Sequence, residues 1–182
     1  MFLDLIKKRR SIRKFLDKPI EAEQIDLLLE AALRAPSSRG LNPWEFIMVT
    51  DRDLLGKLSL AKQHGATFLK DAPLGIVVCA DPQTCDVWVE DASIASIFIH
   101  LAAESLGLGS CWIQIRERMH NTKKSSQEYI AELLNIPAKK QVESIIAIGH
   151  PDEKLPPHEQ EELLYEKVHK DTYGRPYYKV RV

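Results

Sequence analysis

The chain has 182 residues, 45% of them hydrophobic, with 25 Lys and Arg against 26 Asp and Glu for a formal charge of −1. One domain of this length buries a sizeable core without staples, and near-balanced charge excludes a global field that would draw it to nucleic acid or an anionic membrane. Cys79, Cys85 and Cys111 form no C-x-x-C pair and leave one cysteine over in any disulfide scheme, so free thiols in a reducing cytoplasm are expected.

Residues 1–8 read as an amphipathic helix with Phe2, Leu3, Leu5 and Ile6 on one face, so the run Arg9-Arg10-Ser11-Ile12-Arg13-Lys14-Phe15 begins where that helix ends. Nothing in this start has the apolar core and cleavage site of a secretory signal. Three guanidiniums and a hydroxyl within five residues are forked, always-charged donors that match the planar oxygens of a phosphate. Taken alone, a basic run is as a rule a solvated face. Pro19 then keeps Lys18 extended. From Glu21 onward Ile25, Leu28, Leu29, Ala32 and Leu33 recur at helical spacing, and Pro36 stops the helix. Pro36-Ser37-Ser38-Arg39-Gly40-Leu41-Asn42-Pro43 is built of turn-forming residues and is a loop.

Residues 44–49 read as a mostly buried strand, a short helix from Asp51 carries Leu54, Leu55 and Leu58, and residues 74–80 form a strand too uniformly apolar to have a solvent face. The longest helical pattern spans residues 87–106. From 92 to 103 apolar or small residues occupy nearly every side of its wheel, as in a helix surrounded by protein, yet the stretch is too short to cross a bilayer. Its small residues admit close approach of a second helix, and in so small a domain a second subunit supplies it: a homodimer is expected. Gly107 and Gly109 end this helix and a third strand starts at 110–113. Thr122 and the serines after it cap a helix with Ile130, Leu133 and Leu134 inside and a stop at 135–137. Residues 142–148 are a fourth strand, ended by Gly149-His150-Pro151. Pro156, Pro157 and the charged run to Lys170 describe an arm, and residues 177–182 have the bulky character of a strand that closes the sheet of this chain or of a partner. The chain is therefore one domain over 1–182, of which about 156–182 are arm and final strand, with no internal repeat.

Four motifs in order, Arg9-Arg10-Ser11-x-Arg13, Pro36-Ser37-Ser38-x-x-x-Asn42-Pro43-Trp44, Leu106-Gly107-Leu108-Gly109-Ser110-Cys111-Trp112-Ile113 and Ala147-Ile148-Gly149-His150-Pro151, together resemble the nitroreductase family of flavoproteins over roughly residues 1–155. None is specific alone; the order and spacing carry the resemblance. It implies an α+β fold, a three-layer α/β/α sandwich with a mostly antiparallel sheet, in a domain-swapped homodimer with FMN at the subunit interface. It also implies an oxidoreductase that takes hydride from NADH or NADPH and passes it through FMN to nitroaromatics, quinones or similar small acceptors in a ping-pong cycle.

Residue by residue, the resemblance places Arg9, Ser11 and Arg13 on the FMN phosphate and ribityl chain and Arg10 near the pyrimidine edge of the flavin. Pro36, Ser37, Ser38, Gly40 and Asn42 match the loop that the other subunit lays against the flavin, Asn42 offering both a donor and an acceptor. Backbone at Ile113 and Gln114 would lie near the reactive side of the ring, and Gly149 would allow close approach. The flavin carries the hydride chemistry, so no catalytic side chain is required. The chain also departs from the pattern. Many relatives carry a Lys or Arg pair after the fourth strand where this one reads Leu155-Pro156-Pro157-His158-Glu159-Gln160, with Lys154 nearby and Arg175 a candidate substitute. The competing readings are a flavin-binding or flavin-processing relative without efficient nicotinamide turnover, and a basic-patch interaction protein with no cofactor. Metal is not expected: His100 and Glu104 share a helix face, but two ligands do not close a site, and His100 reads as a hydrogen-bonded interior histidine. Cys111 reads as strand packing, and Gly107-x-Gly109 follows a helix and lacks the third glycine of a dinucleotide fingerprint.

Overall fold

The computed structural model describes residues 2–177. Its centre is an antiparallel sheet of β1 (Trp44–Val49), β2 (Leu74–Ala80), β3 (Gly109–Gln114) and β4 (Gln141–Gly149), in the order β1-β2-β4-β3. All of β2, and all of β4 after Gln141, is buried, as continuous apolar runs are when both faces of a sheet are covered.

Two helices cover one face. Leu28 and Ala32 of α2 (Ala22–Leu33), preceded in the chain by the short α1 (Phe2–Lys8), pack with Ala92, Ile99 and Ala103 of α4 (Trp88–Ser105) on Ile76, Val78, Ile146 and Ile148. The other face is covered by α3 (Arg52–Leu58) and α5 (Ser126–Leu134), whose Leu55, Leu58 and Ile130 meet Val77, Ile113, Ile145 and Ala147. The result is a three-layer sandwich. Local chemistry sets the helix ends. The Asp51 side chain accepts from the Leu54 N–H at 2.8 Å, Ser125 and Glu128 form a reciprocal capping box, and Asn135 turns left-handed to end α5. Among the described residues, no helix is long and apolar enough to cross a membrane.

One expectation needs correction. β1 is not mostly buried: Trp44 and Val49 are, but Glu45 and Met48 are exposed, because β1 is an edge strand with a partner on one side only. The cap of α5 is Ser125, one of the serines expected after Thr122. Ile94 and Ile97 of α4 stay 36% and 42% exposed, which leaves room for the second subunit expected beside this helix. The apolar face of α1 is likewise uncovered, with Phe2 and Leu3 63% and 65% exposed. In the arm, two short 3-10 helices (Gln160–Glu162 and Tyr165–Lys167) lie exposed. Of the expected final strand, residues 178–182 lie outside the described residues, and the expected swap falls on them.

Candidate functional site

After α1 the basic run leaves the helix and lies along one corner of the sheet. Ser11 bridges Ser110 in parallel, the Ile12 N–H donates to the Ser110 carbonyl at 3.0 Å, and the Leu16 N–H donates to that of His150 at 2.9 Å. Ile12 and Phe15, each 7% exposed, anchor it. Two glycines paired across β3 and β4, Gly109 and Gly149, make the floor. A Cβ on Gly109 would lie 2.8 Å from Ile12, and one on Gly149 would lie 2.6 Å from Pro73 and 2.9 Å from the Phe15 ring. The room that Gly149 leaves is therefore filled by this chain's own Phe15 and Pro73.

With the anchors inward, the cations gather. Arg9 lies close enough to His100 to act on its charge, and His100 Nδ1 sits 2.7 Å from the Ser110 hydroxyl. Burial first, and Arg9 second, hold His100 down to about 4, so its ring is neutral at physiological pH. Burial pushes the Cys111 thiol up, while Arg13, a hydrogen bond with Ser11, Lys62 and Arg9 pull it the other way. Arg9, Arg13 and Lys62 thus all lie near enough to Cys111 to act on its charge, and Arg13 Nη1 donates to the Ser11 carbonyl at 3.4 Å. The Arg13 guanidinium lies 5.9 Å from the centre of the Phe68 ring, and the Lys62 ammonium is held below its usual range by burial and then by Arg118. Among the described residues, neither the Arg9 nor the Arg13 side chain has a carboxylate partner. Lys62 and Phe68 were invisible to sequence reasoning, because only the packing of the segment after α3 brings them here.

Arg10 goes elsewhere. Its guanidinium bonds the Pro156 carbonyl of the arm, and Glu153 accepts from the backbone N–H groups of Arg13 at 2.6 Å and Lys14 at 3.1 Å. The stretch after β4 therefore brings a carboxylate to the backbone of the basic run. His158 is bonded to Glu162 at 2.9 Å and Arg175 to Asp171 at 3.3 Å, so the candidate substitute for a basic pair is engaged within the arm.

The loop of residues 36–42 is held by its own hydroxyls. Ser37 Oγ accepts from the Asn42 N–H at 2.9 Å and donates to Asn42 Oδ1 at 2.7 Å, so the carbonyl half of that amide is already in use. Arg39, Gly40 and Asn42 have φ of 55°, 65° and 46°. This loop enters β1 at Trp44, which pairs with Ala80 and through it with Gln141, whereas the basic run lies beside Gly109 and Gly149. Those are diagonally opposite corners, on the order of 25–30 Å apart by strand spacing and rise. One chain alone does not bring them together.

At the end of β3 the Ile113 side chain is fully buried in the core. Gln114 is tied at both ends of its amide: Oε1 accepts from Trp112 Nε1 at 2.9 Å, and Nε2 donates to Glu143 Oε1 and to the Arg116 carbonyl, each at 3.2 Å. Burial raises Glu143 above the usual carboxylate range, and its Oε2 has no hydrogen-bond partner among the described residues. Among those residues no group of three or more His, Cys, Asp or Glu is arranged to hold a metal ion.

A model of the Nitroreductase family matches residues 6–64 and 56–150. A protein of Archaeoglobus fulgidus, provisionally named an NADH dehydrogenase/NAD(P)H nitroreductase, is 38% identical over 176 residues, covering 94% of this chain and 98% of its own. An FMN reductase (NAD(P)H) of Bacillus subtilis is 30% identical over 186 residues, covering 90% and 71%. Among solved structures, an FMN-dependent nitroreductase from Clostridium difficile R20291 superposes with a TM-score of 0.93 at 49% identity, covering 94% of this chain and 99% of that one.

Proposed function

The chain belongs to the nitroreductase family, and from that membership we propose that it is an FMN-dependent oxidoreductase taking hydride from NADH or NADPH and delivering it to nitroaromatic, quinone or similar small acceptors in a ping-pong cycle. One observation carries the reading: Arg9, Arg13 and Lys62 lie around Cys111 and the neighbouring Ser11, beside a histidine kept neutral, and the side chains of the two arginines have no carboxylate partner among the described residues. Clustered cations without a counter-ion suit a phosphate monoester, and each charge-assisted bond to it is worth about 1.5–3 kcal/mol. FMN fits this donor set.

When bound, FMN supplies the two-electron chemistry. Arg9, Arg13 and Ser11 hold its phosphate and ribityl chain, with Lys62 adding charge to that end. Backbone at Ile113 and Gln114 lies along the ring, and the bonded Gln114 amide keeps that strand end rigid. Pro36, Ser37, Ser38, Gly40 and Asn42 cover the flavin held by the other subunit, because their own basic run is at the far corner of the sheet. The uncovered apolar faces of α1 and α4 supply the dimer contact. Free buried thiols at Cys79, Cys85 and Cys111 suit a cytoplasmic setting. A second reading, a flavin-binding relative with poor nicotinamide turnover, draws on the arm, where His158 and Arg175 are engaged with carboxylates.

Purified protein is expected to be yellow and to bleach with NADH or NADPH in the absence of oxygen; colour that persists favours the second reading. Protein that is colourless and takes up no added FMN overturns both. Arg9→Ala with Arg13→Ala should weaken FMN at least tenfold and riboflavin far less. Equal losses would mean that these arginines do not hold the phosphate.

A further inference from the structure

We propose that Asp91 is a positioning residue of this site, its buried carboxyl fixing the 36–42 loop in the shape that lies against the flavin; this rests on the functional reading above. Three of the four residues 39–42 have positive φ, and for Arg39 and Asn42 that is a conformation kept only where surrounding contacts over-determine it. Within the loop, Ser37 ties itself to Asn42. Among the described residues three bonds reach it from outside, one of them a long contact from Arg39 Nη2 to the Cys85 sulfur at 3.8 Å. Arg39 pairs with Asp86, but those side chains are 61% and 78% exposed, so solvent and salt screen the pair and it contributes little.

The bond to Asp91 is different. Asp91, in the first turn of α4 and 2% exposed, accepts from the Ser38 N–H through Oδ1 at 2.8 Å. Its Oδ2 accepts from the buried Cys85 thiol at 3.3 Å. Both oxygens are committed, so the carboxyl has one orientation, and the loop's first turn is pinned to the start of a long helix. The same helix reaches the basic corner through His100, so one rigid element sets the spacing between the two corners of each chain. The Ser38 N–H is half-buried, so losing its acceptor carries part of the desolvation cost as well as the lost bond, and removing Asp91 should free the loop.

The test is flavin binding to the full-length dimer, followed by flavin fluorescence, with light scattering and the thermal midpoint of the apoprotein as controls. Asp91→Ala should weaken FMN and riboflavin alike by about tenfold, because the loop touches the ring and not the phosphate, whereas the double arginine variant weakens FMN far more than riboflavin. Asp91→Asn, which keeps an oxygen for the Ser38 N–H, should stay within about threefold of wild type. Ser38→Pro deletes the donor directly and should reproduce the loss seen with Asp91→Ala. It also covers the case in which Asp91→Ala does not fold, since Ser37 already has the extended φ −136°, ψ 158° that a following proline requires. A folded, dimeric Asp91→Ala or Ser38→Pro that binds riboflavin as wild type does, or an Asp91→Asn as damaged as Asp91→Ala, overturns the proposal alone. A wild type that takes up neither flavin overturns the functional reading and this one with it.

Discussion

Arg9 and Arg10 are neighbours with different tasks: Arg9 faces the anion corner beside His100, and Arg10 fastens the arm through the Pro156 carbonyl. Nothing in a run of arginines distinguishes them, because the difference is which side of an extended segment faces the arm. His100 gives a pH signature at this scale. Its folded value of about 4 lies below the ordinary 6.5, so the unfolded chain takes up the proton first on acidification. The contribution is complete above about pH 6.5 and is lost as pH falls toward 4, up to about 3 kcal/mol. Urea unfolding of His100→Asn across that window should show a shallower loss than wild type; parallel curves would remove His100 from the account. The glycines make opposite predictions. Gly149→Ala must push a Cβ into Pro73 and Phe15 and should cost about 1–3 kcal/mol. Gly56→Ala, in α3 with no heavy atom within 4 Å of the added carbon, should gain about 0.4–1 kcal/mol.

Elements with local signals were legible. β2, with its unbroken apolar run, falls at residues 74–80 as read from sequence, and β4 extends the reading by one residue at each end. α5 ends where Asn135 turns left-handed. Its start tests the cap: Ser125→Ala removes one half of the box and should lower stability by about 1 kcal/mol in thermal or urea melts, while leaving flavin binding unchanged. β1 was misjudged for a physical reason. Trp44, Phe46, Ile47, Met48 and Val49 are as apolar as a central strand, and edge position is decided by which strand arrives next to it, which the local pattern does not encode. The apolar and small residues of α4 were legible, and its own chain leaves Ile94 and Ile97 partly bare, as a helix expected to pack on a second subunit should.

For the whole molecule, the proposed function divides one site between two opposite corners of the sheet. Because strand spacing and rise put them on the order of 25–30 Å apart, flavin binding and dimerisation should be a single property. Light scattering at micromolar concentration should give a dimer, and charges introduced on α4 through Ile94→Asp with Ile97→Asp should lose dimer and flavin together. A monomer that binds FMN as tightly as the dimer would contradict this.

By itself the sequence determined which segments become helix or strand and which residues are candidates to hold a phosphate-sized anion, because those depend on period, caps and side-chain chemistry within a few residues. Tertiary structure alone decided that Lys62 and Phe68 join the anion corner, that Asp91 pins the 36–42 loop, and that this loop and the basic run cannot meet within one chain. These are consequences of strand order and of helix placement across the sheet, which arise from contacts between residues far apart in the chain and leave no periodicity or motif along it.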